Sequence, residues 1–286
     1  MAPLLLCALC AIGWFFDRGN WIVFAFASAL FAFWLAALPW GFWNFYLRYV
    51  YLAFFLGGAY HSGRWFFAGI AAFCIVSAER WRRSRPARLW EQEWIDLKFP
   101  LAGGTYYVAQ GGNSMLLNHH YRVASQKFAV DILKLSRIGG INRKPRTCTR
   151  YTTVIYDEPV LSPCDGIVTT AVDGFPDLEI GERDPNHPAG NHVVIRHGDA
   201  EIYVGLAHLR NGSVCLRTGD AVLAGQVIGR VGNSGNTSLP HLHIHAKRGG
   251  DPSSMLDGEG VPMRFGGRWL VRNSIVRVAA PSAASS

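Results

Sequence analysis

The hydrophobic positions divide the chain into two parts with different periods. Residues 1–78 are long apolar runs, broken among charged residues only by Asp17, Arg18, Arg48 and Arg64. Leu4–Phe16 is apolar but short for a span, and it lacks the positive n-region and small-residue cleavage site of a signal peptide. Trp21–Leu38 carries no charge and approaches the ~20 residues that a membrane-crossing helix needs. Phe42–Tyr60 is long enough, with Arg48 required to snorkel or to face a neighbouring helix. Trp65–Ala78 is short again. Trp and Tyr gather at the ends of these runs, as at membrane interfaces. The reading is a bundle of three or four transmembrane helices over 1–78. A soluble helical bundle fits so few charges poorly.

Residues 79–98 read as a basic juxtamembrane linker. Five arginines, Arg80, Arg82, Arg83, Arg85 and Arg88, lie beside the last apolar run. The positive-inside tendency places such a cluster in the cytoplasm, and anionic headgroups would also hold it.

From Trp94 the period changes to that of strands. Short apolar runs are expected at Gly103–Val108, Met115–Leu117, Lys127–Leu135, Pro159–Ala171, His192–His197, Glu201–Leu209, Ser213–Leu216 and Ala221–Val231, with Gly, Asn, Asp and Pro between them. Many short strands without intervening helices predict an all-β domain over 99–278. The tail 279–286 reads as disordered.

The formal net charge of +8 comes partly from the arginine cluster, so it requires no nucleic-acid partner. Six cysteines are present. Cys7, Cys10 and Cys74 lie in the apolar part and read as small apolar residues. Of Cys148, Cys164 and Cys215, the first two are disulfide candidates in an oxidising compartment, with one thiol left over. No C-x-x-C pair lies in the β part, so thiolate zinc ligation has no support there.

The stretch 240–245, Pro-His-Leu-His-Ile-His, carries the chemistry. On a strand His241, His243 and His245 share one face and Leu242 and Ile244 the other. A row of imidazoles is costly to bury unless something binds it, and a metal ion is the usual reason. Asn118-His119-His120 ends a short apolar run, and Asp131 follows in the next strand, where a hairpin can bring it near. A carboxylate within an apolar strand needs a partner, and a metal supplies one. His208 closes another apolar strand. A catalytic zinc takes three protein ligands and leaves one position open. His120, Asp131 and His243 make such a set, with His208 and His241 beside it.

Several stretches in order resemble the lysostaphin/LytM-type zinc endopeptidases. They are Ser162–Val168, Gly190–Gly198, Ala207-His208-Leu209, Gly219–Gly229, Gly232–Thr237 and Pro240–Ile244, within a match over about 105–250. The resemblance implies an antiparallel β domain of the duplicated hybrid motif kind. It implies one Zn²⁺ per chain and hydrolysis of peptide bonds in bacterial peptidoglycan cross-bridges or stem peptides. Carried over by motif, His243 is the family's second zinc-binding histidine, Asp131 its metal-binding acid, and His208 and His241 its two catalytic histidines. Related members with an Asn-x-His and a later Gln-x-x-Ala-x-Asp stretch favour His120 over His119 as the remaining ligand.

The chain departs from the family in three ways. Ten residues separate His120 from Asp131, where the family has three residues from one ligand to the other. His245 stands where a carboxylate or small residue is usual; it reads either as a partner supporting the metal ligands or as an exposed strand residue, with the latter preferred. The anchor is multi-span. The expectation is a multi-pass protein of the bacterial cell membrane with its peptidase domain on the extracytoplasmic side, against the preference of arginines 80–88. The partners expected are a peptidoglycan peptide and the lipid bilayer. The rival reading is an inactive membrane scaffold or activator of other cell-wall hydrolases. Such relatives lose ligands, whereas every required residue type is present here.

Overall fold

The computed structural model describes residues 93–143, 149–198 and 201–280, together with positions 71, 74, 75 and 78. Apart from those four positions, the expected membrane spans lie outside the described residues, as do the arginine cluster, Cys148 and residues 281–286. Among the described residues no helix is long and apolar enough to cross a membrane.

The strands in chain order are β1 (Ile95–Leu97), β2 (Gly104–Gln110), β3 (Val130–Leu135), β4 (Pro159–Leu161), β5 (Gly166–Val172), β6 (Asn191–Arg196), β7 (Ile202–Leu209), β8 (Ala221–Val222), β9 (Val227–Arg230), β10 (Leu242–Arg248), β11 (Glu259–Val261), β12 (Met263–Phe265), β13 (Arg268–Trp269) and β14 (Ile275–Val278). The main sheet runs β14-β2-β3-β10-β7-β6-β5-β8, with β11 attached to β10. Its pairings are antiparallel, as the sequence pattern predicts. A two-stranded sheet, β4-β9, and a three-stranded sheet, β1-β12-β13, complete the domain. The parallel pair β1–β12 is the exception to the antiparallel pattern. Ile95 and Leu97 of β1 are buried, although they belong to the stretch read as linker.

Several expected strands take other forms. Met115–Leu117 is a turn and Ser213–Leu216 is irregular. The run 159–171 splits at Ser162–Asp165, and 221–231 splits at the Ala224-Gly225 turn. In each split a Pro or Gly interrupts what the apolar residues alone would extend.

The centre of the sheet is β3-β10-β7. Its core face carries Ile132, Leu242, Ile244, Val204 and Leu206, all fully buried. Removing each such side chain from water stabilises the fold by about 1.5–3 kcal/mol. Register sets the opposite face. His243 pairs with Asp131 on β3 and with Ala207 on β7, and His245 pairs with Gly205. A one-residue slip would turn the histidines into the core, so the burial of Leu242 and Ile244 locks the register. Cys164 is buried with a free thiol, pushed up by burial, and then by Asp165, to about 12.

Candidate active site

Strand pairing puts Asp131 and His243 side by side, with the carboxylate Oδ1 2.9 Å from His243 Nδ1. The loop before β3 supplies His120, in a 3-10 turn over His119–Arg122 rather than at a strand end. Its Nε2 lies 3.1 and 3.0 Å from the two oxygens of Asp131. The turn is held by Asn118, which is fully buried. Asn118 Oδ1 accepts from His120 N, and its Nδ2 donates to the carbonyls of Gly112, Lys127 and Ala129. One side chain thus ties the histidine turn to the start of β3. Gln126 hydrogen-bonds the His120 side chain. Arg272, on the far side of the loop, donates to the carbonyls of Ala109 and Leu116 and to the Gln110 side chain, and Gln110 Oε1 also accepts from His119 N.

His241 sits just before β10, with Nε2 3.6 Å from Asp131 Oδ1. Its Nδ1 is held by the Leu239 carbonyl at 2.9 Å and the Thr237 hydroxyl at 3.1 Å. The His208 ring lies 4.8 Å from that of His241 and 5.8 Å from that of His243. Its Nδ1 donates to the Ser234 carbonyl at 2.9 Å. A carbonyl can only accept, so neutral His208 carries its proton on Nδ1 and leaves Nε2 as a lone pair. The backbone of His208 is in the left-handed region, at φ 63°. That conformation costs roughly 1–3 kcal/mol and persists only where the surroundings impose it. Here the amide of His208 donates to Ala189 and its carbonyl accepts from Gly232.

The Gly-Asn-Ser-Gly stretch fixes the other side of His208. Ser234 Oγ donates to the Leu209 carbonyl and accepts from Asn191 N. Gly190 meets it closely: at φ +57°, a Cβ there would lie 2.5 Å from atoms of Ser234. Beside this contact, a cavity of about 320 Å³ opens between Val172, Phe175, His192, Ala189, Met255 and Leu256.

The electrostatics point one way. Burial opposes ionisation of Asp131, but the charges of His120 and His241 and hydrogen bonds from His120 and His243 hold its carboxyl well below the usual range. Burial also works against charge on His120, yet Asp131 and Gln126 raise it above the ordinary imidazole value. Burial holds His208 and His245 well below that value, and it lowers His243 to about 4. The site therefore presents one carboxylate, His120 biased toward its cation by that carboxylate, and imidazoles at His208, His243 and His245 held neutral by burial. The ligand atoms of His119, His120 and Asp131 lie within 4.8 Å of one another and could hold a metal ion. His243 is not in that group, but its Nδ1 touches the same carboxylate. His120, Asp131 and His243 could form a second such group, since two imidazoles and a carboxylate meeting at one buried point is a donor set that zinc takes.

Residues 151–255 match the family described as peptidase family M23. The β domain thus contains a peptidase M23 match over its central strands. The chain is 28% identical over 163 residues to the peptidoglycan DD-endopeptidase ShyA of Vibrio cholerae, covering 56% of this chain and 34% of that protein. It thus spans about a third of the length of that relative. Among solved structures, it is similar to a zinc-containing peptidase from Vibrio cholerae (28% identity, 33% of this chain and 24% of that one, TM-score 0.26). It is also similar to the catalytic domain of the prophage-encoded M23 protein EnpA from Enterococcus faecalis (22%, 46% and 72%, 0.31) and to lysostaphin from Staphylococcus simulans (18%, 55% and 44%, 0.31).

The β domain brings His120, Asp131, His208, His241 and His243 together beside one sheet face. His119 points its ring along that of His120, centroids 3.9 Å apart, and is exposed. One expectation is corrected. His245 is not an exposed strand residue: it is 1% accessible, with Nδ1 3.0 Å from His243 Nε2. Gly205 opposite it leaves room for the ring, and a Cβ at that position would lie 3.3 Å from the imidazole and 2.4 Å from Met255 Sδ. Sequence reasoning did not reach Ser234, Thr237 or Arg272. The first two lie in the recognisable Gly-Asn-Ser-Gly-Asn-Thr motif, while Arg272 carries no local signal.

Proposed function

We propose that the chain is a zinc-dependent endopeptidase that hydrolyses peptide bonds of bacterial peptidoglycan, in cross-bridges or stem peptides. Helices within 1–78 would anchor it in the cell membrane, with the M23 domain on the extracytoplasmic side. One observation carries the catalytic part. His120 Nε2 and His243 Nδ1 converge on the Asp131 carboxylate, with His208 and His241 beside it. Three acceptors crowded together are repulsive unless a cation or a proton lies among them. The name of the Vibrio cholerae relative, a peptidoglycan DD-endopeptidase, supports the substrate class.

His120, Asp131 and His243 would hold the zinc. Bound zinc would polarise the scissile carbonyl and make a water acidic enough to lose a proton near neutral pH. His208 and His241 would do the remaining work between them: one accepts the water's proton on Nε2, and the other, carrying a second proton on Nε2, donates a hydrogen bond to the oxyanion. The burial that keeps His208 neutral, with Nε2 free, suits it to the first task. Asp131 spreads its charge over three imidazoles and fixes their orientation. The cavity beside Ala189 offers the neighbouring part of the peptide a mostly apolar seat.

The test is digestion of purified peptidoglycan by the zinc-loaded chain, with mass analysis of the products. New peptide ends are expected, lost on chelation and restored by zinc. Intact wall material after exposure to a chain shown to contain zinc would refute the reading. Reporters fused at the C-terminus, active on one side of the membrane only, test the placement; a cytoplasmic signal would remove the peptidoglycan substrate.

A further inference from the structure

We propose that His245 is a positioning residue: it accepts a hydrogen bond from His243 Nε2 and so holds His243 in the one tautomer that can ligate zinc through Nδ1. The inference rests on the zinc reading above.

Proton placement on this pair of rings is constrained. His243 Nδ1 faces Asp131 Oδ1 at 2.9 Å, and Nε2 faces His245 Nδ1 at 3.0 Å. To ligate a cation beside Asp131, Nδ1 must carry a lone pair. The proton of neutral His243 then sits on Nε2 and needs an acceptor, because a buried, unpaired N–H costs about 1–3 kcal/mol. His245 Nδ1 is the group in place, so it must be unprotonated and the proton of His245 must lie on Nε2. That atom is buried without a partner at hydrogen-bonding geometry, although the Met255 backbone lies close enough to act on it. The opposite arrangement, with His245 donating from Nδ1, leaves His243 protonated on Nδ1 and unable to bind metal.

Among the described residues, His245 Nδ1 is the hydrogen-bond partner of His243 Nε2. His243 and His245 are 2% and 1% accessible. Their rings meet edge to face at 5.3 Å between centroids. Gly205 and Met255 close the pocket around His245. Lys247, next along the same strand face, is spoken for by the Asp251 carbonyl and the Asp257 carboxylate. Metal-bound histidines generally hand their other N–H to a carboxylate, a carbonyl or water. Here a second imidazole takes that part.

Two variants separate positioning from packing. His245→Met keeps volume and removes the acceptor. His245→Asn loses volume but puts an amide oxygen where Nδ1 stands. Zinc affinity of the whole chain in detergent is read by competition with a chromophoric chelator. We expect His245→Met to bind zinc about 10–100-fold more weakly and His245→Asn to stay within about threefold of the parent. A packing role predicts the reverse order, since Asn leaves the larger void. His245→Met binding zinc as tightly as the parent, or His245→Asn binding more weakly than His245→Met, overturns the proposal. Imidazole nitrogen shifts of the zinc-loaded parent give a measurement independent of both variants. His243 is expected to carry hydrogen on Nε2 and metal on Nδ1, and the opposite assignment overturns the proposal even where a variant fails to fold. A parent chain that binds no zinc would instead overturn the zinc reading, and this inference with it.

Discussion

Asp131→Asn changes one oxygen of the side chain into an amide and almost nothing of its shape. Asp131 Oδ1 stands 2.9 Å from His243 Nδ1, 3.1 Å from His120 Nε2 and 3.6 Å from His241 Nε2, and Oδ2 stands 3.0 Å from His120 Nε2. The amide keeps one acceptor and turns the other position into a donor, and it removes the charge that favours protonated His120. A hydrogen bond to a charged group contributes roughly 1.5–3 kcal/mol, so losing the carboxylate should cost the zinc-free domain about 2–4 kcal/mol. For a domain of this size that lowers the unfolding midpoint by about 5–15 °C. The pH dependence has a definite sign. The folded pKa of Asp131 is depressed, so its stabilisation is present above the ordinary carboxylate value of about 4 and is lost as pH falls through the folded value. The parent should therefore lose stability on acidification that Asp131→Asn does not have to lose. With zinc at about 100 times its dissociation constant, the parent should gain about 2.7 kcal/mol and the variant little. Thermal unfolding of both chains at pH 6, with and without zinc, and of the zinc-free chains at about pH 2–3, reads all of this. An Asp131→Asn chain that melts with the parent at pH 6, zinc-free, and gains equally from zinc would refute the placement of Asp131 at the centre of the site.

Three further outcomes are expected. His120→Ala should lose zinc while His119→Ala retains both zinc and wall-digesting activity; metal content of the two purified chains decides it, and zinc lost only from His119→Ala would reverse the assignment. His208→Ala should keep its zinc and lose about 10²–10⁴ in turnover, as for removal of a general base, and full activity in that chain would remove His208 from the mechanism. Zinc affinity should rise with pH across the neutral range, because the folded pKa of His120 is raised and zinc must displace its proton. The same shift means that the zinc-free protein has the His120–Asp131 stabilisation in full below the ordinary imidazole value of about 6.5 and loses it as pH rises through the folded value. A zinc affinity equal at pH 6 and pH 8 would contradict it.

The strand-borne half of the site was legible because period-2 alternation fixes faces. Leu242 and Ile244 had to be buried together, so His243 and His245 had to share the other face, and they do. Alternation says nothing about what covers that face, which is why His245 was read as exposed. Its burial comes from Met255, ten residues on, and from the absence of a side chain at Gly205, a residue of another strand. Asp131 was ambiguous for a similar reason: Val130 and Ile132 are both buried, so only the pairing with His243 settles its face. The split of 159–171 into β4 and β5 was hidden by apolar residues on both sides of Pro163. The spans expected over 1–78 concern residues that, apart from positions 71, 74, 75 and 78, the structure does not describe.

The loop-borne half explains how an unusual spacing still makes a site. Ten residues between His120 and Asp131 would let the histidine wander if they formed a free loop. They do not. Asn118 Nδ2 reaches forward across nine and eleven residues to the carbonyls of Lys127 and Ala129, while its Oδ1 holds the amide of His120. The excursion is thereby closed at its base, and the intervening turn is free in sequence without being free in position. Closing a loop of this length at its neck removes most of the conformational entropy that a mobile ligand would otherwise lose on binding metal. Asn118→Ala should accordingly weaken zinc binding although residue 118 touches no ligand atom of the ion. It should also destabilise the zinc-free domain by about 2–3 kcal/mol, because the deletion leaves buried carbonyls unpaired. If Asn118→Ala lost stability but bound zinc as before, the neck would be a fold element only, and the placement of His120 would have to come from Gln126 and Asp131 alone.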